Sequence, residues 1–235
     1  RSTQFTKQNL ADRHPVQHPL SASSNIDSKV DFLKRMDVSA RAEHNHIQQF
    51  IGRVLQREQA VEIFNSDGLH AQDVRHYCRI AATAVAEDSG LQSSGYVAPG
   101  ALQGWEFNTG HDAADLAQQA AKQALIKLHA DDCPSGEMPV VIGNGFGGVI
   151  FHEACGHLLE TTSVEKKASV FHDKMGEMIA NPVVSAVDDG LLENAWGSIN
   201  IDDEGMPTKR TQLIKDGKLT SFMVDRVGAM KTGFE

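Results

Sequence analysis

The run GGVIFHEACGHLLE holds two histidines, His152 and His157, separated by five positions. That spacing sets a condition on the backbone. The common zinc-protease signature stacks histidines four residues apart on one helix face. At about 100° per residue, an offset of five turns the second side chain roughly 140° away from the first. Both can reach one metal only if the helix is distorted between them. Gly156, directly before His157, is the expected place for that distortion. A one-residue π-bulge is its expected form, because such bulges favour functional sites.

The residue types fit metal chemistry. Neutral imidazole is a common zinc ligand. Glu153 follows His152 directly and so points to a different side. A carboxylate there can take a proton from a water that a metal has made acidic. His152 and His157 are therefore the candidate ligands and Glu153 the candidate catalytic base. Two helix histidines beside a glutamate can also be coincidence. The context favours the site: an expected strand at Pro139–Ile142, a glycine loop at Gly143–Gly148, and a helix from about Val149 to Glu160. Val149, Ile150 and Phe151 would bury one side of it.

A catalytic zinc keeps three protein ligands and one open position. Glu160, at i+3 from His157, and His172, further along, are candidates for the third ligand or for orienting one. Cys155 sits two positions before His157 and faces away from it, reading as a small buried residue.

Other patterns compete. Gly143, Gly145 and Gly148 fit G-x-G-x-x-G between an expected strand and helix, the dinucleotide context. No second βα unit follows, so this reading ranks second. His44, His46, His70 and His76 lack a matching carboxylate or glycine context and read as surface or packing residues. The acidic runs at Asp188-Asp189-Gly190 and Asp202–Gly205 lack the ligand spacing of an EF-hand and read as turns.

The rest of the chain reads as α+β: antiparallel sheets with helices packed on them, in two regions. Residues 1–27 form a polar, irregular lead-in. Residues 28–130 form a middle α+β domain. It opens on a helix capped by Asn25 or Asp27, with Val30, Leu33 and Ala40 as its apolar stripe. A meander over 46–97 follows, turning at Ser66-Asp67-Gly68 and Asp88-Ser89-Gly90. An alanine-rich helix over 112–130 carries Leu116, Ala120, Ala124 and Leu128 on one side. A linker near residues 131–137 leads to the region 138–235. There Ser198–Asp202 alternates as a strand, and Thr211–Ile214 pairs with Leu219–Val224 across Asp216-Gly217.

Composition excludes some partners. With 22 basic and 31 acidic residues, the formal charge of -9 argues against nucleic acid or an anionic membrane. Three cysteines make no disulfide framework, so a reducing compartment is expected. No apolar run has the length of a membrane span. The start does not read as a signal peptide, and the absent initiator Met and abrupt end suggest a fragment of something longer.

The runs GNGFGGVIFHEACGHLLE, SVFHDKMGEMIANPVVSAVDDG and GSINIDDEGMPTKRTQLIKDGKLTSFMVD together resemble the TldD/PmbA metalloprotease family, on the TldD side. The likeness is strong over residues 138–235 and looser over 28–130. It implies a zinc-dependent peptidase acting on unstructured, extended or modified peptides. It implies Zn2+ bound by His152 and His157, Glu153 as base, and a cysteine as third ligand downstream of Glu235; Cys78, Cys133 and Cys155 do not occupy that position. It also implies a cytosolic dimer, either a homodimer or a heterodimer with a PmbA/TldE-like paralogue. Two other readings stand beside it: a non-catalytic dimerising or binding subunit with an incomplete metal site, and a nucleotide-binding α/β domain using the Gly143–Gly148 loop.

Overall fold

Alternating small and apolar residues between Ile47 and Val97 build one antiparallel sheet. The computed structural model describes residues 4–22 and 26–234. The chain forms two compact units, one of residues 1–134 with 191–207, the other of 135–190 with 208–235.

The first unit contains, in chain order, β1 (Thr6–Lys7), α1 (Ile26–Glu43), β2 (Ile47–Phe64), β3 (Leu69–Asp88), β4 (Leu91–Val97), β5 (Gly100–Ala101) and α2 (Ala113–Leu128). β2 and β3 pair antiparallel from Ile47 opposite Ala86 to Phe64 opposite His70. β4 and β5 pair antiparallel with β3, and the short β1 pairs parallel with it. The turn between β3 and β4 places Ser89 and Gly90 at φ 50° and 83°. Two positive φ values in succession are what a two-residue hairpin needs to match strand twist.

On β3 the residues Cys78, Ile80, Ala82, Ala84 and Ala86 are buried on one face. They share a core with Phe32, Met36 and Ala40 of α1 and with Leu116, Ala117, Ala120, Ala121, Ala124 and Leu128 of α2. The small side chains let α2 lie close to the sheet. At Gly95 of β4 a β-carbon would collide with the backbone carbonyl of Ala120. α2 starts where Asp112 accepts the amides of Ala114 and Asp115, at 2.6 and 3.2 Å. Burial pushes the Cys78 thiol up to about 12, so it is a packing residue. Asn25, one expected cap for α1, lies outside the described residues, and Asp27 falls inside the first turn rather than before it.

By its packing, the segment 191–207 is part of this unit. Arg75 of β3 holds it. Its buried guanidinium donates to the Ile201 carbonyl at 2.9 Å and lies 3.3 Å from Asp203. The strand expected at Ser198–Asp202 does not form; one bridge joins Ile201 to Pro207. The Asp202 carboxylate instead accepts the amides of Glu204 and Met206, at 2.8 and 2.9 Å. Such local side-chain bonds offer the backbone an alternative to a ladder.

The second unit contains α3 (Val149–Ala154), α4 (Thr161–Val164), β6 (Ala186–Asp189), β7 (Arg210–Lys215), β8 (Lys218–Leu219) and α5 (Arg226–Thr232). β6, β7 and β8 form an antiparallel sheet, and Asp216 and Gly217 turn the last hairpin at φ 50° and 80°. Leu159, Val164, Leu213, Ile214, Leu219 and Phe222 form its core.

Two strand expectations fail here. The return strand stops at Leu219, because Met223 pairs elsewhere. Its amide donates to the Leu159 carbonyl at 2.8 Å, and its carbonyl accepts from Thr161 at 2.9 Å. Pro139–Ile142 forms no strand: no described strand pairs with it, and Val141 is 100% exposed.

Candidate metal centre

α3 runs to Ala154, and Cys155 then leaves helical geometry at φ −135°, ψ −47°. Gly156–Leu159 continue as a 3-10 turn. The interruption therefore begins at Cys155, one residue before Gly156. Its form is a tightened turn rather than the wider π-bulge. A 3-10 turn advances more steeply around the axis than an α-helix. Combined with the break, it brings His157 round to His152, and their ring centroids lie 4.3 Å apart, edge to face. A β-carbon at Gly156 would stand 3.4 Å from Nδ1 of His152, an ordinary contact.

His152, Glu153 and His157 each offer one ligand atom, all within 4.8 Å of one another. Oε2 of Glu153 lies 4.0 Å from Nε2 of His157. All three side chains are exposed. Val149, Ile150 and Phe151 are exposed as well, so they do not form the buried flank expected of them.

The two halves of the motif differ in their support. Around His157 the backbone is tied down. Leu159 is fully buried. The Ser169 hydroxyl donates to the Leu158 carbonyl at 2.6 Å. The Met223 segment bonds to both Leu159 and Thr161. α3, by contrast, has no buried residue.

Glu160 faces His157, its Oε1 2.8 Å from Nδ1. With the Nδ1 proton directed at this carboxylate, the Nε2 lone pair is left for a metal. Glu160 thus fits the role of orienting a ligand. His172 donates from Nδ1 to the Ser169 carbonyl at 2.9 Å and does not join the group around His152. Cys155 is half-buried, and burial pushes its thiol upward, away from a ligand-ready thiolate. The glycine loop forms a 3-10 turn over Gly145–Gly148 ahead of α3. Without a strand at Pro139–Ile142, the strand–loop–helix context of a dinucleotide site is not present among the described residues.

Sequence reasoning missed Thr161 and Asp225. The Thr161 hydroxyl donates to Asp225 at 2.7 Å, and Asp225 also accepts the Gly228 amide at 2.9 Å to cap α5. The signal was an aspartate directly before a short helical run, a usual cap pattern.

Two imidazoles and a carboxylate converging from one broken helix are a donor set suited to zinc. Models of known families match most of the sequence. Residues 19–128 match the PmbA/TldA metallopeptidase central domain, and residues 135–235 match the PmbA/TldA metallopeptidase C-terminal domain.

This chain belongs to the PmbA/TldD metallopeptidase family.

The metalloprotease TldD homolog of Haemophilus influenzae is 36% identical over 97% of this chain and 48% of its own length. The chain spans about half the length of the curated TldD homologues it matches. Solved structures share the fold. A Bacteroides thetaiotaomicron protein described as a candidate modulator of DNA gyrase aligns with a TM-score of 0.81 at 21% identity, over 99% of this chain and 52% of that one. TldE of Thermococcus kodakarensis aligns with a TM-score of 0.70 at 18% identity, over 100% of this chain and 53% of that one. Membership of the PmbA/TldD family makes this a chain of a protease family whose named relatives are metalloproteases. No described helix is long and apolar enough to cross a membrane.

Proposed function

We propose that this PmbA/TldD chain carries the metal-binding core of a zinc-dependent peptidase that cleaves unstructured or modified peptides. The observation that carries the reading is the gathering of His152, Glu153 and His157 within 4.8 Å, with Glu160 on the far nitrogen of His157. His152 and His157 would hold the ion. A third protein ligand is proposed from outside these 235 residues, as the family likeness implies. A bound zinc supplies Lewis acidity, polarising a peptide carbonyl and making a water acidic.

The chain's own residues do the rest. Glu153 accepts the proton of the attacking water at its carboxylate and passes it to the departing amine. Glu160 keeps the Nδ1 proton of His157 fixed, so that the ring neither flips nor changes tautomer. The exposure of all three site residues leaves room for an extended main chain. The working form is proposed to be a cytoplasmic dimer, with a second copy or a PmbA/TldE-like partner. The fold shared with a TldE protein supports the paralogue arrangement.

Cleavage of an unfolded polypeptide by the full-length protein tests the reading. Glu153→Gln should abolish cleavage while zinc content is retained. Full activity in that variant would remove the carboxylate from the mechanism.

A further inference from the structure

The first unit holds a second set of ligand-type side chains, at one end of its sheet. His46 stands directly before β2, Asp88 ends β3, and His129 caps the C-terminus of α2. Three separate elements thus deliver two imidazoles to one carboxylate. Oδ2 of Asp88 lies 3.2 Å from Nε2 of His129, and its Oδ1 lies 3.9 Å from Nε2 of His46. One ligand atom from each residue falls within 4.8 Å of the others.

The arrangement is braced by the fold. The Glu87 amide donates to the His46 carbonyl at 2.9 Å, fixing the start of β2 against the end of β3. The Ser89 hydroxyl donates to Oδ1 of Asp88 at 3.0 Å, which orients the carboxylate. Nδ1 of His44 accepts the His46 amide at 3.2 Å, and its ring packs edge-on against that of His46 at 4.4 Å. His46 and Asp88 are partly buried while His129 is exposed, so one side of the cluster opens to water.

We propose that His46, Asp88 and His129 form a second divalent-cation site, for zinc or an ion of similar ligand preference. Two imidazoles and a carboxylate beside an open position are a recognised zinc ligand set. A simple ion pair needs only one of the histidines. Two protonated rings on a single carboxylate would repel each other, whereas two neutral rings and the carboxylate offer three lone pairs to one cation. Ligands at about 2.1 Å around a tetrahedral ion stand roughly 3.4 Å apart. The Asp88–His129 pair is already at that spacing. Small side-chain rotations bring His46 in, and all three side chains keep some solvent freedom. An ion here would join the start of β2, the β3–β4 turn and the end of α2, and so act as a clasp on the unit. This site does not depend on the peptidase reading.

Zinc titration of the purified protein by calorimetry tests it. In a His152→Ala, His157→Ala background, which removes the ligands of the other centre, about one zinc should still bind. Adding Asp88→Asn should abolish that binding, and adding His129→Gln should do the same from a side chain at an exposed helix end. Cobalt(II) in place of zinc should give a visible absorption band that disappears in the same variants. An absence of zinc binding in the His152→Ala, His157→Ala background overturns the proposal. So does binding that survives Asp88→Asn or His129→Gln, and if Asp88→Asn fails to fold, His129→Gln alone decides.

Discussion

Glu160 holds His157 in place: Oε1 of the glutamate lies 2.8 Å from Nδ1 of the histidine, across the end of the 3-10 turn that follows the helix break. The contact engages the ring through Nδ1 and leaves Nε2 for the proposed zinc. Removing such an outer partner typically weakens metal binding by roughly 10- to 100-fold. Glu160→Ala should therefore lower zinc affinity by about that factor in a chelator competition, with the overall fold kept. Unchanged affinity would show that the carboxylate plays no part.

The same turn is anchored by Leu159, which is fully buried in the core of the second unit. Truncating a buried leucine to alanine costs about 2–5 kcal/mol through lost transfer energy and a residual cavity. Leu159→Ala should lower the denaturant midpoint of the second unit by a corresponding amount. It should also loosen His157, and zinc affinity should fall with it. A shift within experimental error would mean that the site collapses to fill the space.

A second anchor depends on pH. The hydroxyl of Thr161 holds the Asp225 carboxyl below its ordinary value, assisted by the Gly228 amide. A carboxylate depressed in the folded state stabilises it above the unfolded value of about 3.9. That contribution is lost as pH falls through the lower folded value. Asp225 also caps α5, and losing such a cap costs about 1 kcal/mol. Asp225→Ala should lower the urea midpoint at neutral pH, and the gap to the parent protein should close in strong acid. A gap that is the same at both ends of the pH range would contradict the assignment.

In the first unit, the packing of β4 on α2 rests on Gly95, where a β-carbon would meet the Ala120 carbonyl and the Ala124 amide. Both obstacles are backbone, so neither can rotate away. Overpacking of this kind costs about 1–3 kcal/mol or more. Gly95→Ala should lower the thermal unfolding temperature of the first unit, whereas the same change at Gly110, with open space around it, should be nearly neutral.

The features readable from sequence were those fixed by local chemistry. Turn residues at Asp67-Gly68 and Ser89-Gly90 bracket the strands of the meander, and alanine at helical spacing marks α2. What failed depended on distant partners. Pro139–Ile142 is apolar enough for a strand, yet a strand also needs a neighbour to pair with. Ser198–Asp202 alternates, but Asp202 bonds its own backbone and Arg75 claims the Ile201 carbonyl. Leu219–Val224 starts as a strand and then gives its hydrogen bonds to the motif segment. The spacing of His152 and His157 required a break, but not whether Cys155 or Gly156 would begin it. His46 carried no sign of its partners, because Asp88 and His129 reach it only when the ends of three elements converge.

The central claim is that His152 and His157 hold a zinc ion at which Glu153 acts. Zinc-edge X-ray absorption of the full-length protein, in an Asp88→Asn background that removes the other candidate site, tests it most directly. The account predicts imidazole scattering from two histidines, with bound zinc lost in His157→Ala and retained in Glu153→Gln. Zinc without imidazole ligands, or zinc content unchanged in His157→Ala, would contradict it.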